Sequence, residues 1–179
     1  MMIEKAKTLA AKKHAHLTLY NAAHSPAILH IGEVAGWVEQ HGGSEDMIAA
    51  AWLHDIVEDT DVTITQVEEI FGPGIALLVD GLTDPPHFAP LPLEQRKPMQ
   101  AERLKGKGEE VKLIKICDQL SNVRRILNDP PTDWNFQTQF QYIKGARAVA
   151  DICRGVNADL DRLFDEAYEQ AIQKYGDVE

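Results

Sequence analysis

Met47 to Leu53 is apolar on every side of a helix, and it runs directly into His54-Asp55 and two further carboxylates, Glu58 and Asp59. A helix without a polar face has no stable place at a surface, so this one is expected at the centre of its fold. Charged groups at the end of a central helix must then be compensated by something, and that requirement shapes the rest of the reading.

The surrounding chain reads as further helices, with no strand alternation and no internal repeat. Ile3 to Leu19 can form a first helix. Ser25 is the expected N-cap of a second, with Pro26 at its first position and Ile31, Val34, Ala35 and Val38 at i, i+3, i+4, i+7. Gly42-Gly43 ends it, and Ser44 caps the central helix, with Glu45 and Asp46 in the first turn. Thr65 to Glu68 has capping-box spacing, Gly72-Pro73-Gly74 interrupts, and Ile75 to Leu82 continues. Asp84 to Pro98 holds five prolines and is expected as a loop beside the site. Glu109 to Leu127, Trp134 to Cys153 and Asn157 to Tyr175 complete the series. The fold class is all-α, and 179 residues suit one domain.

Bulk properties narrow the function. A net charge of −10 argues against a nucleic-acid polymer as partner, because phosphate-backbone binding needs a basic surface. No apolar stretch approaches the roughly 18 residues of a membrane helix, and nothing at the N-terminus reads as a signal peptide, so no membrane partner and a cytoplasmic location are expected. Cys117 and Cys153 sit in apolar helical patterns and read as buried thiols of a reducing compartment. The sequence leaves an oligomer open.

The acidic patch resists an ordinary surface reading. At 100° per residue His54 lies above Glu58 and Asp55 above Asp59, all near the end of the helix, where the dipole favours cations. No Lys or Arg occurs between Asp46 and Arg96 to neutralise them. A solvated acidic face suits a peripheral helix, whereas here a bound divalent cation is the better explanation. His30, beside the apolar stripe of the preceding helix, is either a packed core histidine or a ligand. Asp118, inside the apolar Leu113 to Leu120 pattern, is a second candidate, since a buried carboxylate needs a partner. Two histidines and two aspartates make a nitrogen and oxygen site suited to Mn²⁺, Fe²⁺ or Zn²⁺.

His30, then His54-Asp55, then Asp118 resembles the ligand pattern of the HD-domain phosphohydrolases. Leu53-His-Asp-Ile-Val-Glu-Asp-Thr-Asp61 is similar to the HDxxEDT segment of the RelA/SpoT-type (p)ppGpp 3′-pyrophosphohydrolases. Val111-Lys-Leu-Ile-Lys-Ile-Cys-Asp118-Gln-Leu-Ser-Asn122 resembles a further helix of that group, and the similarity runs from about residue 6 to residue 175. The resemblance implies an ion, Mn²⁺ first, held by His30, His54, Asp55 and Asp118. It implies that Glu58 and Asp59 position or deprotonate the attacking water and assist the leaving group. It also implies nucleotide contacts from Asn122 and Tyr142 and phosphate contacts around Arg96-Lys97. Arg124, within two turns of Asp118, can face phosphates or solvent.

The sequence departs from the group where an Arg-Lys pair usually precedes the first ligand: Leu19-Tyr20-Asn21-Ala22 carries no cation. Ile31 stands where proline is usual, and Ala27 where tyrosine is. The substrate implied is a small phosphorylated nucleotide, (p)ppGpp first, with another nucleotide as the alternative and a non-catalytic binding module behind it. His14, His16, His24, His41 and His87 are expected on helix surfaces or loops, and Trp37, Trp52 and Trp134 in the core or an interface.

Overall fold

A computed structural model describes residues 1–176. The architecture is all-helical: α1 (Met2–Lys13), α2 (Ala27–Gln40), α3 (Glu45–Trp52), α4 (Ile56–Asp59), α5 (Ile64–Phe71), α6 (Pro73–Leu82), α7 (Leu93–Lys105), α8 (Glu109–Asn128), α9 (Phe136–Cys153) and α10 (Ala158–Tyr175). Among the described residues β-type pairing is limited to two isolated bridges, Thr18 with Pro26 and Asn21 with Pro131. No helix among them is long and apolar enough to cross a membrane.

Local chemistry sets most of the boundaries. Ser44 Oγ accepts from Met47 N and starts α3 as expected. The capping box of α5 lies two residues earlier than the sequence suggested: Thr63 and Gln66 cap each other's backbone, which turns Val67 and Phe71 into the core. Ser25 does not cap α2. It exchanges two hydrogen bonds with Asn21, and Pro26 takes the cap position with Ala27 first in the helix.

Two expectations fail on a larger scale. α1 stops at Lys13, because residues 17–27 turn back on themselves, with Leu19 N donating to Ser25 O and Ala27 N to Leu17 O. The proline-rich segment is a loop only as far as Pro92, and α7 then continues through Pro98, which offers no donor to the Glu94 carbonyl one turn earlier.

α8 is the axis of the fold. It packs against α2, α3, α6, α9 and α10, and its buried face includes Ile114, Ile116, Cys117, Leu120 and Val123. Cys117 and Cys153 are buried and unpaired. Each fully buried Leu or Ile contributes roughly 1.5–3 kcal/mol. Leu53, Ile56, Ile114 and Leu120 therefore offset the cost of holding His30, His54 and Asp118 in the same interior.

Candidate metal centre and flanking clefts

The central helix does not continue through the acidic patch. α3 ends at Trp52, Leu53–Asp55 form a turn, and α4 is a single turn. Leu53 N and Ile56 N donate to carbonyls three residues back, Ala50 and Leu53, so the winding tightens here. The regular winding that would stack His54 over Glu58 is lost at this turn, whereas Asp55 and Asp59 keep one α-helical turn, with Asp59 N donating to Asp55 O at 2.9 Å. In a regular helix neighbouring side chains diverge by about 100°. Across this turn His54 and Asp55 converge, with His54 Nε2 3.2 Å from Asp55 Oδ2.

His30 from α2 and Asp118 from α8 complete the cluster. His30 Nε2 lies 3.3 Å from His54 Nε2, 3.8 Å from Asp55 Oδ2 and 3.4 Å from Asp118 Oδ1. His54 Nε2 is 3.9 Å from Asp118 Oδ1. His30, His54 and Asp55 each offer one donor atom within 4.8 Å of the others.

The hydrogen bonds around the cluster assign the tautomers. His54 Nδ1 lies 2.7 Å from Ala51 O, a pure acceptor, so Nδ1 carries a proton and the neutral ring presents its lone pair at Nε2. Ser121 donates its hydroxyl to Glu33 Oε2 at 2.7 Å and so accepts from His30 Nδ1 at 2.9 Å. His30 Nε2 is then bare as well. With both rings neutral, two imidazole lone pairs and an Asp55 oxygen converge, and Asp118 Oδ1 flanks the two histidines, an arrangement that fits a divalent cation.

Electrostatics agree. Burial opposes charge on His54, but Asp55 and Asp118 outweigh it and push its pKa up to about 9. Burial likewise opposes ionisation of Asp55, yet His54 holds it down at about 2. Asp118 is also desolvated but is held well below the usual carboxylate range by Lys115 and the histidines. Each shift expresses a site that favours positive charge at its centre.

Asp118 is clamped on both oxygens. Lys115 Nζ and Gln119 Nε2 donate to Oδ2 at 3.0 Å each, and Asn122 Nδ2 donates to Oδ1 at 2.8 Å. Asn122, expected as a nucleotide contact, thus also orients Asp118, and it lines a neighbouring cleft.

Glu58 and Asp59 stand apart from the cluster and are exposed. Glu58 Oε1 accepts from Asp84 N at 2.7 Å, and desolvation at the cleft wall pushes its pKa up to about 7. Desolvation and Asp55 push Asp59 up to about 6. Two clefts meet here, sharing Asp59 and Tyr142. The larger, about 770 Å³, holds Glu58, Asp84, Arg96 and Lys97; the smaller, about 330 Å³, holds Leu17, Leu19, Asn122, Arg125 and Trp134. Both volumes lie in the range of small-molecule sites, roughly 300–1,000 Å³.

Lys97 is buried beneath the larger cleft, donating to Gln119 Oε1 at 2.9 Å with Nζ 4.3 Å from the Tyr142 ring centre. Burial pushes its pKa down to about 7. Its stem fits only because residue 145 is glycine: a Cβ there would lie 2.5 Å from Lys97 Cγ. Arg124 joins neither cleft; its guanidinium stacks on Trp37 at 4.8 Å, and the next residue, Arg125, faces the smaller cleft instead.

Several contributors escaped the sequence reading. Lys115, three residues before Asp118, and Ser121, three after it, carry the helical spacing that places them beside it. Glu33 bears the same relation to His30. His14, expected at the surface, is buried with its ring 3.8 Å from Asp59. The repeat Ala6, Ala10, His14 at a spacing of four was the available signal.

A family profile described as the HD domain matches residues 6–143. The guanosine-3′,5′-bis(diphosphate) 3′-pyrophosphohydrolase MESH1 of Drosophila melanogaster is 36% identical over 163 residues, covering 90% of this chain and 89% of that protein. The Homo sapiens protein of the same name is 32% identical over 168 residues, covering 93% and 92%. A solved structure described as a metazoan ortholog of SpoT that hydrolyses ppGpp superposes with a TM-score of 0.87 at 33% identity, covering 94% of each chain.

Proposed function

The chain belongs to the HD-domain family, and on that premise we propose that it is a metal-dependent phosphohydrolase that removes pyrophosphate from the 3′ position of (p)ppGpp. The observation that carries this reading is the convergence of two imidazole nitrogens and two carboxylate oxygens, with Glu58 and Asp59 following Asp55 in sequence and lining the neighbouring clefts.

His30, His54, Asp55 and Asp118 would hold the ion. Nitrogen and oxygen donors without a thiolate suit Mn²⁺, with Fe²⁺ and Zn²⁺ as the alternatives. When bound, such an ion polarises a phosphoryl oxygen and increases the acidity of water. The residues of the chain do the rest. Asp59, shared by both clefts, orients the attacking water and accepts its proton; Glu58 supports the same proton transfer from the larger cleft and serves the leaving oxygen. Carboxyls pushed towards neutral pH suit both tasks. Arg96 faces phosphate in the larger cleft, while Trp134 and Tyr142 flank the nucleoside. Burial and Asp118 keep the Tyr142 phenol protonated, so it can donate a hydrogen bond. Lys97 underpins the floor, behind Tyr142.

A second reading changes only the nucleotide. The smaller cleft is walled by Leu17, Leu19, Ile126 and Trp134, with Arg125 the one cation that lines it among the described residues. A substrate with fewer phosphates on that side would fit such a wall. Purified protein with Mn²⁺ is expected to convert ppGpp to GDP and pyrophosphate and to prefer it in a panel of phosphorylated nucleotides. Preference for another member of the panel replaces the substrate but keeps the chemistry. No turnover of any member removes the hydrolase reading.

A further inference from the structure

Among the described residues, His14 Nε2 is the one buried side-chain nitrogen or oxygen without a hydrogen-bond partner. Such an atom carries a desolvation cost and requires a reason. Packing alone does not supply one. His14 closes the buried stripe of α1 after Ala6 and Ala10, a position that an apolar ring would fill without an orphaned nitrogen.

The geometry gives the ring a direction. His14 Nδ1 lies 2.9 Å from Ala10 O, so Nδ1 donates there and the ring is fixed. Nε2 then points at Asp59 Oδ2, 3.8 Å away, with the His14 side chain 0% and that of Asp59 46% exposed. One side of the pair is locked in the core, and the other is free to turn into the clefts. The neighbouring cation on α1, Lys13, is committed to Asp61 at 2.6 Å and does not compete.

We propose that His14 is a positioning residue for hydrolysis that acts through Asp59: its Nε2 steers the Asp59 carboxyl into the orientation that meets the attacking water. A side-chain rotation that closes the gap by about 1 Å brings Nε2 and Oδ2 to hydrogen-bonding distance. The inference rests on the assignment of Asp59 to the catalytic pair.

The test compares His14→Phe, His14→Gln and the wild type on the preferred nucleotide, with bound metal and Tm measured alongside. His14→Phe fills the space without a nitrogen and is expected to lower kcat about 10- to 100-fold, as loss of a group that orients a functional residue does. KM and bound metal stay at wild-type values. His14→Gln places an amide N–H near the same carboxyl and is expected to recover most of kcat. In an Asp59→Asn background His14→Phe adds no further loss; if that background has no measurable turnover, the Phe and Gln pair decides alone. Wild-type kcat in His14→Phe overturns the inference while leaving the hydrolase reading standing. Equal losses in both variants with a lowered Tm overturn it in favour of a structural role. A wild type that turns over no nucleotide overturns both.

Discussion

The donor cluster and the acidic pair beside it are built in opposite ways. Three of the four side chains aimed into the cluster are tied elsewhere, His54 to Ala51, His30 through Ser121 to Glu33, and Asp118 to Lys115, Gln119 and Asn122, while Asp55 meets only the two histidines. Glu58 has a single recorded hydrogen bond, from Asp84 N, and Asp59 lies within 4.0 Å of His14 without bonding to it. A site for a fixed ion must be rigid before the ion arrives, because a loosely held donor lowers affinity. Groups that move protons must instead adjust as charge develops, and a partly exposed carboxylate can.

The largest expected effect separates these regions. His54→Ala should remove both bound metal and turnover. Glu58→Ala combined with Asp59→Ala should abolish turnover by about 10³-fold or more, in line with general acid-base contributions of about 10²–10⁴, while metal content stays stoichiometric. Loss of metal in the double variant would erase the division between the regions. A smaller effect is expected from Ser121→Ala, which frees the His30 tautomer: metal affinity should fall about 10- to 100-fold with the fold intact, measured by competition with a chelator.

Gly145→Ala sharpens the comparison on the substrate side. An alanine in a helix ordinarily stabilises it by about 1 kcal/mol relative to glycine. Here the Cβ would meet the Lys97 stem, so chemical denaturation should show a loss of about 1–3 kcal/mol, and KM should rise with metal binding unchanged. The smallest effect concerns pH. The Lys97 pKa is pushed down by burial to about 7 in the fold, whereas in the unfolded chain it returns to 10.5. Between those values the unfolded chain binds the extra proton, so this residue makes stability rise with pH over that window. Lys97→Met should remove that slope in denaturation curves taken from pH 7 to 10.

Much of this was legible in the sequence, for reasons that also mark where reading stops. His30 and Asp118 lie in apolar helical patterns that made each a candidate, and the resemblance to the HD-domain phosphohydrolases joined them with His54-Asp55 before any coordinates. The turn at Leu53–Asp55 was hidden, because it contains no Gly or Pro and is imposed by packing around Ile56 and Leu53. Arg124 and Arg125 differ by one residue, which is about 100° on a helix, and sequence alone did not choose which faces the cleft. Five prolines masked the start of α7, since Pro98 sits inside a helix that packing against α9 sustains. His14 was missed because α1 was drawn through to Leu19, which hid its place at the helix end.

The most direct measurement is release of pyrophosphate from ppGpp by protein stripped of metal and then titrated with Mn²⁺. Turnover should be absent in the stripped protein and should rise to a plateau at about one ion per chain, as one cluster of four donors requires. Full turnover in the stripped protein, or none at any Mn²⁺ concentration, would contradict metal-dependent hydrolysis at His30, His54, Asp55 and Asp118.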